Sequence, residues 1–348
     1  KFNFVIKPNF KTTSFLIDAL IGTAIGFFIL HPLSMIIQNS GEIPSYAFNH
    51  LLFTSMGLYF SGIGLFFGSV SGFFRLKLKQ KNIELEKKKL IIEEKNRRFE
   101  DSINYAKLIQ HAALESELVI KKSLPESFIL YKPKDIVSGD FYWFTQLGDK
   151  IFIAAIDCTG HGVPGALLTM IANAHLVEIV KVLKIIEPDK ILNTLHAYIC
   201  KTLKQNETKN MDGLDIAICV IDKKNKTMEY SGARIPLVYI QNNELNVLRG
   251  DKLSIGGYSN RSNATFTKHV IRIDQPTTFY LFSDGYQDQF GGTKMRKFSP
   301  VKLKQLFLGI NQLPMNEQQN ILEKTIEDWR QSEAQTDDIL VIGVKIKL

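Results

Sequence analysis

Between residues 15 and 74 the chain carries no lysine or arginine and only two carboxylates, Asp18 and Glu42, and beyond residue 74 it turns abruptly charged. Uncharged runs of this length are unusual in the helices of a soluble core and point to a bilayer as solvent. Residues 15–37 form a 23-residue run, long enough at 1.5 Å per residue to cross a hydrocarbon layer of roughly 30 Å. Asp18 and His31-Pro32 weaken it. Residues 46–74 form the stronger run, with 29 residues free of formal charge and glycines at 62, 64, 68 and 72. Small residues four apart suit close helix packing in lipid.

Lys1, Lys7 and Lys11 precede the first run, Arg75, Lys77, Lys79 and Lys81 follow the second, and the connecting QNSGEIPSY has no basic residue. Such an asymmetry predicts a two-helix membrane anchor over residues 1–75 with both ends in the cytoplasm, placing the protein in the inner membrane. A cleaved signal peptide is not expected, because the first run is long and lacks a small-residue cleavage site. The chain opens on Lys1, which leaves room for an upstream sensor region. Three cysteines, Cys158, Cys200 and Cys219, without CxxC spacing indicate neither a disulfide framework nor a zinc knuckle, in keeping with a cytosolic soluble part.

Residues 76–122 contain no glycine or proline and are dense in Glu and Lys, which predicts one long linker helix. Every seventh position from 78 is apolar: Leu78, Leu85, Ile92, Phe99, Ala106, Ala113 and Ile120. The repeat argues for a seam that pairs two copies into a homodimer, although the complementary positions are mostly polar until Ile103 and Ile109. A solvated helix, or one folded against the following domain, is the alternative. The net charge of +8 comes from scattered lysines, many of them on this segment, and reads as helix solvation and membrane-side charge; no nucleic-acid groove is expected.

From residue 123 to 348 the pattern is mixed. Apolar runs (IFIAAID, LDIAICVID, PLVYI, TFYLFSD, DILVIGVKI) are separated by turns such as Asp222-Lys223-Lys224-Asn225 and Gln241-Asn242-Asn243, and helical stretches lie near 165–184, 188–204 and 314–331. The short connections favour an α+β domain with a largely antiparallel sheet core and helices outside.

Four acidic sites share one placement, where an apolar run meets a turn: Asp140 in SGDFYWF, Asp157 ending IFIAAID, Asp284 ending FYLFSD, and Asp337-Asp338 before ILVIGVKI. Strand ends of one sheet system can converge on a single crevice. Carboxylates gathered there repel one another, so the arrangement implies cations between them. All-oxygen ligands favour Mg²⁺ or Mn²⁺ over zinc. Two such ions can polarise a phosphoryl oxygen and make hydroxide available near neutral pH, with no protein nucleophile needed. Any one of these aspartates alone reads equally as a turn or cap residue.

The loop Asp157-Cys158-Thr159-Gly160-His161-Gly162-Val163-Pro164-Gly165 joins an apolar strand to a helix, and its glycines let backbone approach a ligand. It is neither a Walker loop nor a dinucleotide fingerprint. His161 is a candidate general acid to the leaving alkoxide, or a loop histidine that holds the turn. His111, His175 and His196 have no partner spacing, and Ser283 lacks a nucleophile elbow.

The pieces SGDFYWF, DCTGHGVPGA, DGLDIAICVID, YSGARIPLVYI, FSDGYQDQFGG and QTDDILVIGV, preceded by the helix DSINYAKLIQ, stand in the order of a known family. Over residues 100–348 the chain resembles the PPM-type serine/threonine phosphatases, specifically the bacterial SpoIIE-type branch. The resemblance implies a sandwich of two antiparallel sheets flanked by helices. It also implies that Asp157 is the central metal ligand, with the Cys158 carbonyl beside it, and that Asp140, Asp284 and Asp337 complete a two-metal site, with Asp338 an alternative to Asp337. Asp212 or Asp215 would touch a further, weaker metal. No arginine matches the phosphate-binding arginine of the eukaryotic relatives, so phosphate capture would rest on metal and backbone. The implied substrate is a phosphorylated regulatory protein, an anti-sigma-factor antagonist, and the linker helix would transmit a signal that orders the metal site.

Rival readings make different demands. A two-metal phosphodiesterase or nuclease calls for a His-Asp pair or basic stripe that the sequence lacks. A non-catalytic phosphoprotein scaffold has no need of all four acidic sites. A histidine kinase requires nucleotide-binding glycine boxes, which do not follow His111.

Overall fold

The computed structural model describes residues 10–30, 33, 50–208, 210–257 and 265–347. Two compact units divide the chain, Lys1–Arg98 and Phe99–Leu348. The helices are α1 (Phe10–Ile25, prolonged by a π turn over Gly26–Leu30), α2 (His50–Ala113), α3 (Glu117–Ser123), α4 (Gly162–Val177, prolonged by a π turn over Glu178–Val182), α5 (Pro188–Thr202), α6 (Gly285–Asp288), α7 (Pro300–Ile310) and α8 (Met315–Arg330). The strands are β1 (Ser127–Lys132), β2 (Asp140–Leu147), β3 (Lys150–Cys158), β4 (Gly213–Asp222), β5 (Thr227–Ala233), β6 (Leu237–Gln241), β7 (Glu244–Leu248), β8 (Ile255–Gly256), β9 (His269–Arg272), β10 (Thr277–Phe282), β11 (Phe290–Gly291), β12 (Arg296–Lys297) and β13 (Ile339–Ile346).

In the first unit, α1 packs on the early turns of α2 through glycines four apart on each helix. A Cβ on Gly22 would collide with the Gly64 carbonyl, one on Gly64 with the Gly22 carbonyl, one on Gly26 with the Phe60 carbonyl and one on Gly68 with the Asp18 carbonyl, whereas Gly62 faces open space. Arg75 Nη1 donates to Asp18 Oδ1 at 3.0 Å, so the one carboxylate within the first apolar run has a partner. Portions of both expected spans, with His31, Pro32, Glu42 and the QNSGEIPSY connection, lie outside the described residues, as do Lys1 and Lys7. Among the described residues one helical stretch is long and apolar enough to cross a membrane, Gly162–Val182. That stretch is a core element, for Leu168, Ala172, Leu176, Ile179 and Val180 are buried within it. The two-span anchor therefore stands on the sequence pattern and is not reproduced by the described helices.

The linker departs from the single helix expected over 76–122. Helix α2 begins far upstream at His50 and stops at Ala113, and α3 restarts at Glu117. Ser116 causes the restart: its backbone is extended and its side chain accepts the Val119 amide, an N-cap that competes with helix continuation.

The second unit is built on two sheets whose neighbouring strands all pair antiparallel, one ordered β1-β13-β10-β6-β7, the other β2-β3-β4-β5-β9 with β8 on β4. Side chains alternate across each strand. Ile151, Ile153 and Ala155 of β3, Ala217, Cys219 and Ile221 of β4, and Leu340, Ile342 and Val344 of β13 meet between the sheets. Their neighbours Phe152, Ala154 and Ile156 face α4 and α5, while Ile339 and Val341 face α7 and α8. Both faces of the central strands are covered, which is why their sequences read as continuous apolar runs. Helix α7 was not anticipated, although buried Leu303, Phe307 and Ile310 carry a helical period.

Candidate active site

Asp140, Asp157 and Asp215 form a row across one end of the sandwich. Asp140 of β2 stands opposite Asp157 of β3, which stands opposite Asp215 of β4. All three lie on the face that, two residues further along each strand, carries Tyr142, Ala155 and Ala217 into the core between the sheets. Opposed residues on antiparallel strands have Cα atoms about 4.5–5.5 Å apart. The inter-sheet face thus changes from apolar to acidic at its end, where the other sheet delivers Asp284 just after β10 and Asp337-Asp338 just before β13.

Their electrostatics show one shared neighbourhood. Burial, then the charge of Asp157, holds the Asp140 carboxyl far above the usual range. Asp157 is pushed up to about 8 by burial and by Asp284, Asp215 and Asp337. Asp284 is pushed up to about 6 by burial, Asp288 and Asp337. Burial raises Asp215 as well, against the opposing pull of Ser254 and Arg234. Cys158 is buried with its thiol far above the ordinary range, through desolvation first, so only its carbonyl is chemically relevant here.

The two C-terminal aspartates do different work. Asp338, 2% exposed, accepts the Lys134 amide on Oδ1 and the Gly139 amide on Oδ2, both at 2.7 Å. It thereby clasps the segment that delivers Asp140. Among the described residues Asp337 Oδ1 accepts one amide, that of Asp338, at 2.9 Å. Ser283 accepts the Leu340 amide at 3.1 Å and acts against the upward shift of the Asp140 carboxyl, so it bears on both sheets at this end.

Loop geometry explains the glycines around His161. Gly160 and Gly162 have φ of +82° and +65°, values open to glycine, and a Cβ on Gly139 or Gly165 would strike the Gly160 carbonyl. Between them, half-exposed His161 approaches Asp135 Oδ2 through Nδ1 at 2.6 Å. A carboxylate only accepts, so Nδ1 carries the hydrogen, and Nε2 has no hydrogen-bond partner among the described residues. Sequence reading missed Asp135, which stands 26 residues from its partner. It also missed Gln110 of α2, 4% exposed, whose Nε2 donates to the Ser138 carbonyl (2.7 Å) and Thr169 Oγ1 (2.9 Å) while its Oε1 accepts the Ser138 amide (3.1 Å).

Among the described residues no three Asp, Glu, His or Cys side chains are drawn tightly enough to grip an ion as they stand. The donor chemistry nevertheless fits a divalent cation. Asp140 Oδ2 is buried with no hydrogen-bond partner among the described residues, and the surrounding carboxylates mutually oppose ionisation. A cation resolves both costs.

The profile of the family described as Stage II sporulation protein E (SpoIIE) matches residues 148–347. The chain belongs to the SpoIIE family. The SiaA-PP2C domain of Pseudomonas aeruginosa is similar to it at 29% identity over 72% of this chain and 98% of that one, with a TM-score of 0.66. The PP2C phosphatase domain of SpoIIE from Bacillus subtilis, solved with a fragment of its regulatory domain, is similar at 18% identity over 64% of this chain and 61% of that one, with a TM-score of 0.52. No curated protein matches the chain. Within the SpoIIE family, which depends on metal ions, the C-terminal unit is a protein serine/threonine phosphatase domain of the PP2C type.

Proposed function

We propose that this protein is a membrane-anchored phosphatase that hydrolyses phosphoserine or phosphothreonine on a regulatory protein, using two Mg²⁺ or Mn²⁺ ions. The observation that carries the reading is the acidic row of buried Asp140 and partly buried Asp157 and Asp215, facing Asp284 and Asp337 from the other sheet. Asp140, Asp157, Asp284 and Asp337, with the Cys158 carbonyl, are the groups that would hold the ions, and Asp338 fixes the loop that presents Asp140. When bound, such ions supply Lewis acidity toward phosphoryl oxygens and lower the pKa of water. Asp135 orients the His161 ring so that, in its imidazolium form, Nε2 can give a proton to the departing serine or threonine oxygen and the ring is left neutral with its hydrogen on Nδ1.

Membrane anchoring is supported by the apolar stretches and by side chains left exposed on the described helices, among them Leu20, Ile21, Phe28, Phe66, Phe67 and Phe74. Basic residues from Arg75 onward support a catalytic domain in the cytoplasm, at the inner membrane. The seven-residue repeat, exposed at Leu78, Leu85, Ile92 and Phe99, supports a homodimer through the linker. Resemblance to the SpoIIE-type branch supports an anti-sigma-factor antagonist as the phosphorylated partner.

The full chain in detergent with Mn²⁺ should release phosphate from a phosphoserine peptide, and Asp157→Asn should abolish release. Binding of the peptide without turnover would select the non-catalytic scaffold instead.

A further inference from the structure

Arg234 sits immediately after β5 with φ of +59°, a conformation that side-chain-bearing residues adopt at a cost and that glycine or asparagine adopts more readily. The backbone holds it there. Arg234 N donates to the Asp251 carbonyl at 2.8 Å, Asp251 N donates to the Gly232 carbonyl at 2.8 Å, and Ala233 forms a parallel bridge with Asp251. A positive φ is shared by Lys184, Lys204 and Lys226, so what sets Arg234 apart is its surroundings.

Its side chain explains the choice of residue. Arg234 Nε lies 4.0 Å from Asp215 Oδ1, with the arginine side chain 60% exposed. That distance is a charge contact and too long for a hydrogen bond, so the planar fork of guanidinium donors has no hydrogen-bond partner among the described residues. Asp215 is the third member of the row beginning at Asp140 and Asp157, which puts the guanidinium at the rim of the acidic pocket. On the opposite side Lys297 also acts on the pocket through Asp284, yet its Nζ is already held by Asp288 at 2.6 Å. Of these two cations, only Arg234 keeps its donors uncommitted.

We propose that Arg234 receives the phosphoryl group of the incoming phosphoserine or phosphothreonine at the mouth of the acidic pocket, a role that rests on the phosphatase reading above. A guanidinium can present two parallel N–H donors to two oxygens of a phosphomonoester dianion, a geometry that lysine cannot reproduce. It also gives a dianion an attractive feature on an otherwise carboxylate-lined approach.

Arg234→Asn separates binding from folding, because asparagine accepts a positive φ and relieves the backbone. In the full chain with Mn²⁺, Arg234→Asn should keep or raise the melting temperature while raising KM for a phosphoserine peptide about tenfold or more, with a smaller change in kcat. Arg234→Lys should fall between the two. Calorimetric titration with inorganic phosphate should show the same ranking of affinities. Wild-type KM and wild-type phosphate affinity in Arg234→Asn would overturn the assignment. An inactive wild type would instead count against the phosphatase reading, and the phosphate titration would still decide the role of Arg234.

Discussion

In the proposed site Asp157 sets function against stability, and the opposition can be measured. Its folded pKa of about 8 exceeds the ordinary carboxylate value of about 4. Between those values the metal-free folded state binds more protons than the unfolded chain, so stability falls as pH rises through that window. Asp284, at about 6, adds to the loss over the lower part of it. Thermal melts in chelator should therefore show a falling melting temperature from pH 5 to pH 8. Mn²⁺ should reverse the trend, because the ion binds the deprotonated site. Asp157→Asn should flatten the slope and raise metal-free stability at pH 8 while removing activity; an unchanged slope would mean the carboxyl is not held in this environment. The His161–Asp135 pair predicts a different signature. Asp135→Asn should slow phosphoserine hydrolysis by roughly 10²-fold, within the range of lost general acid–base catalysis. Hydrolysis of p-nitrophenyl phosphate, whose leaving group needs little protonation, should change far less. Equal losses on both substrates would leave His161 a loop residue only. The strand-end positions of Asp140, Asp157 and Asp284 were legible in the sequence because each stands where an apolar run meets a turn. Asp135 and Arg234 were not, since their roles arise from a loop contact and a left-handed turn that no local spacing encodes.

Strands and helices decide which of these residues can be moved by events outside the pocket. The apolar runs that announced β3, β4, β10 and β13 were plain because these strands are covered on both faces, whereas edge strand β7, with no fully buried residue, left little pattern to read. The two-residue turn at Asn242-Asn243 was equally readable, and both residues take positive φ there. Hidden from sequence was the meaning of Gln110, a single amide in the mostly apolar stretch 108–114 at the end of α2. Its amide secures both backbone groups of Ser138, and the Ser138 hydroxyl accepts the Asp140 amide at 3.0 Å. The helix is thus fastened to the segment that carries the most deeply buried acidic side chain of the row. Gln110→Ala would leave the Ser138 carbonyl and amide without partners, a cost of about 1–3 kcal/mol. A lower melting temperature is expected, together with a smaller Mn²⁺-induced gain, because Asp140 would lose its fixed mount. A normal Mn²⁺ response in the destabilised variant would show that Gln110 serves folding alone.

At the scale of the whole molecule, the sequence made the phosphatase domain far easier to read than the segments before it. Six ordered motifs and a two-sheet core constrain the domain from many directions, whereas the proposed membrane spans and the linker rest on composition and period alone. The helix α2 carries Leu78, Leu85, Ile92 and Phe99 exposed at seven-residue intervals and ends with the Gln110 contact to Ser138. An apolar face of this kind costs free energy in water and is relieved by pairing with an identical face. Lys81, Lys88 and Lys95, three residues after successive seam positions, weaken such a pair, so it is expected to be modest and responsive to what happens upstream. Ile92→Asp with Phe99→Asp places carboxylates in the seam without touching the pocket. The double variant should run as a monomer in chemical cross-linking of membranes, and its phosphatase activity should shift from that of the wild type at equal protein amount. Dissociation with unchanged activity would separate dimerisation from control of the metal site. An intact cross-linked dimer would place the pairing surface elsewhere on the chain.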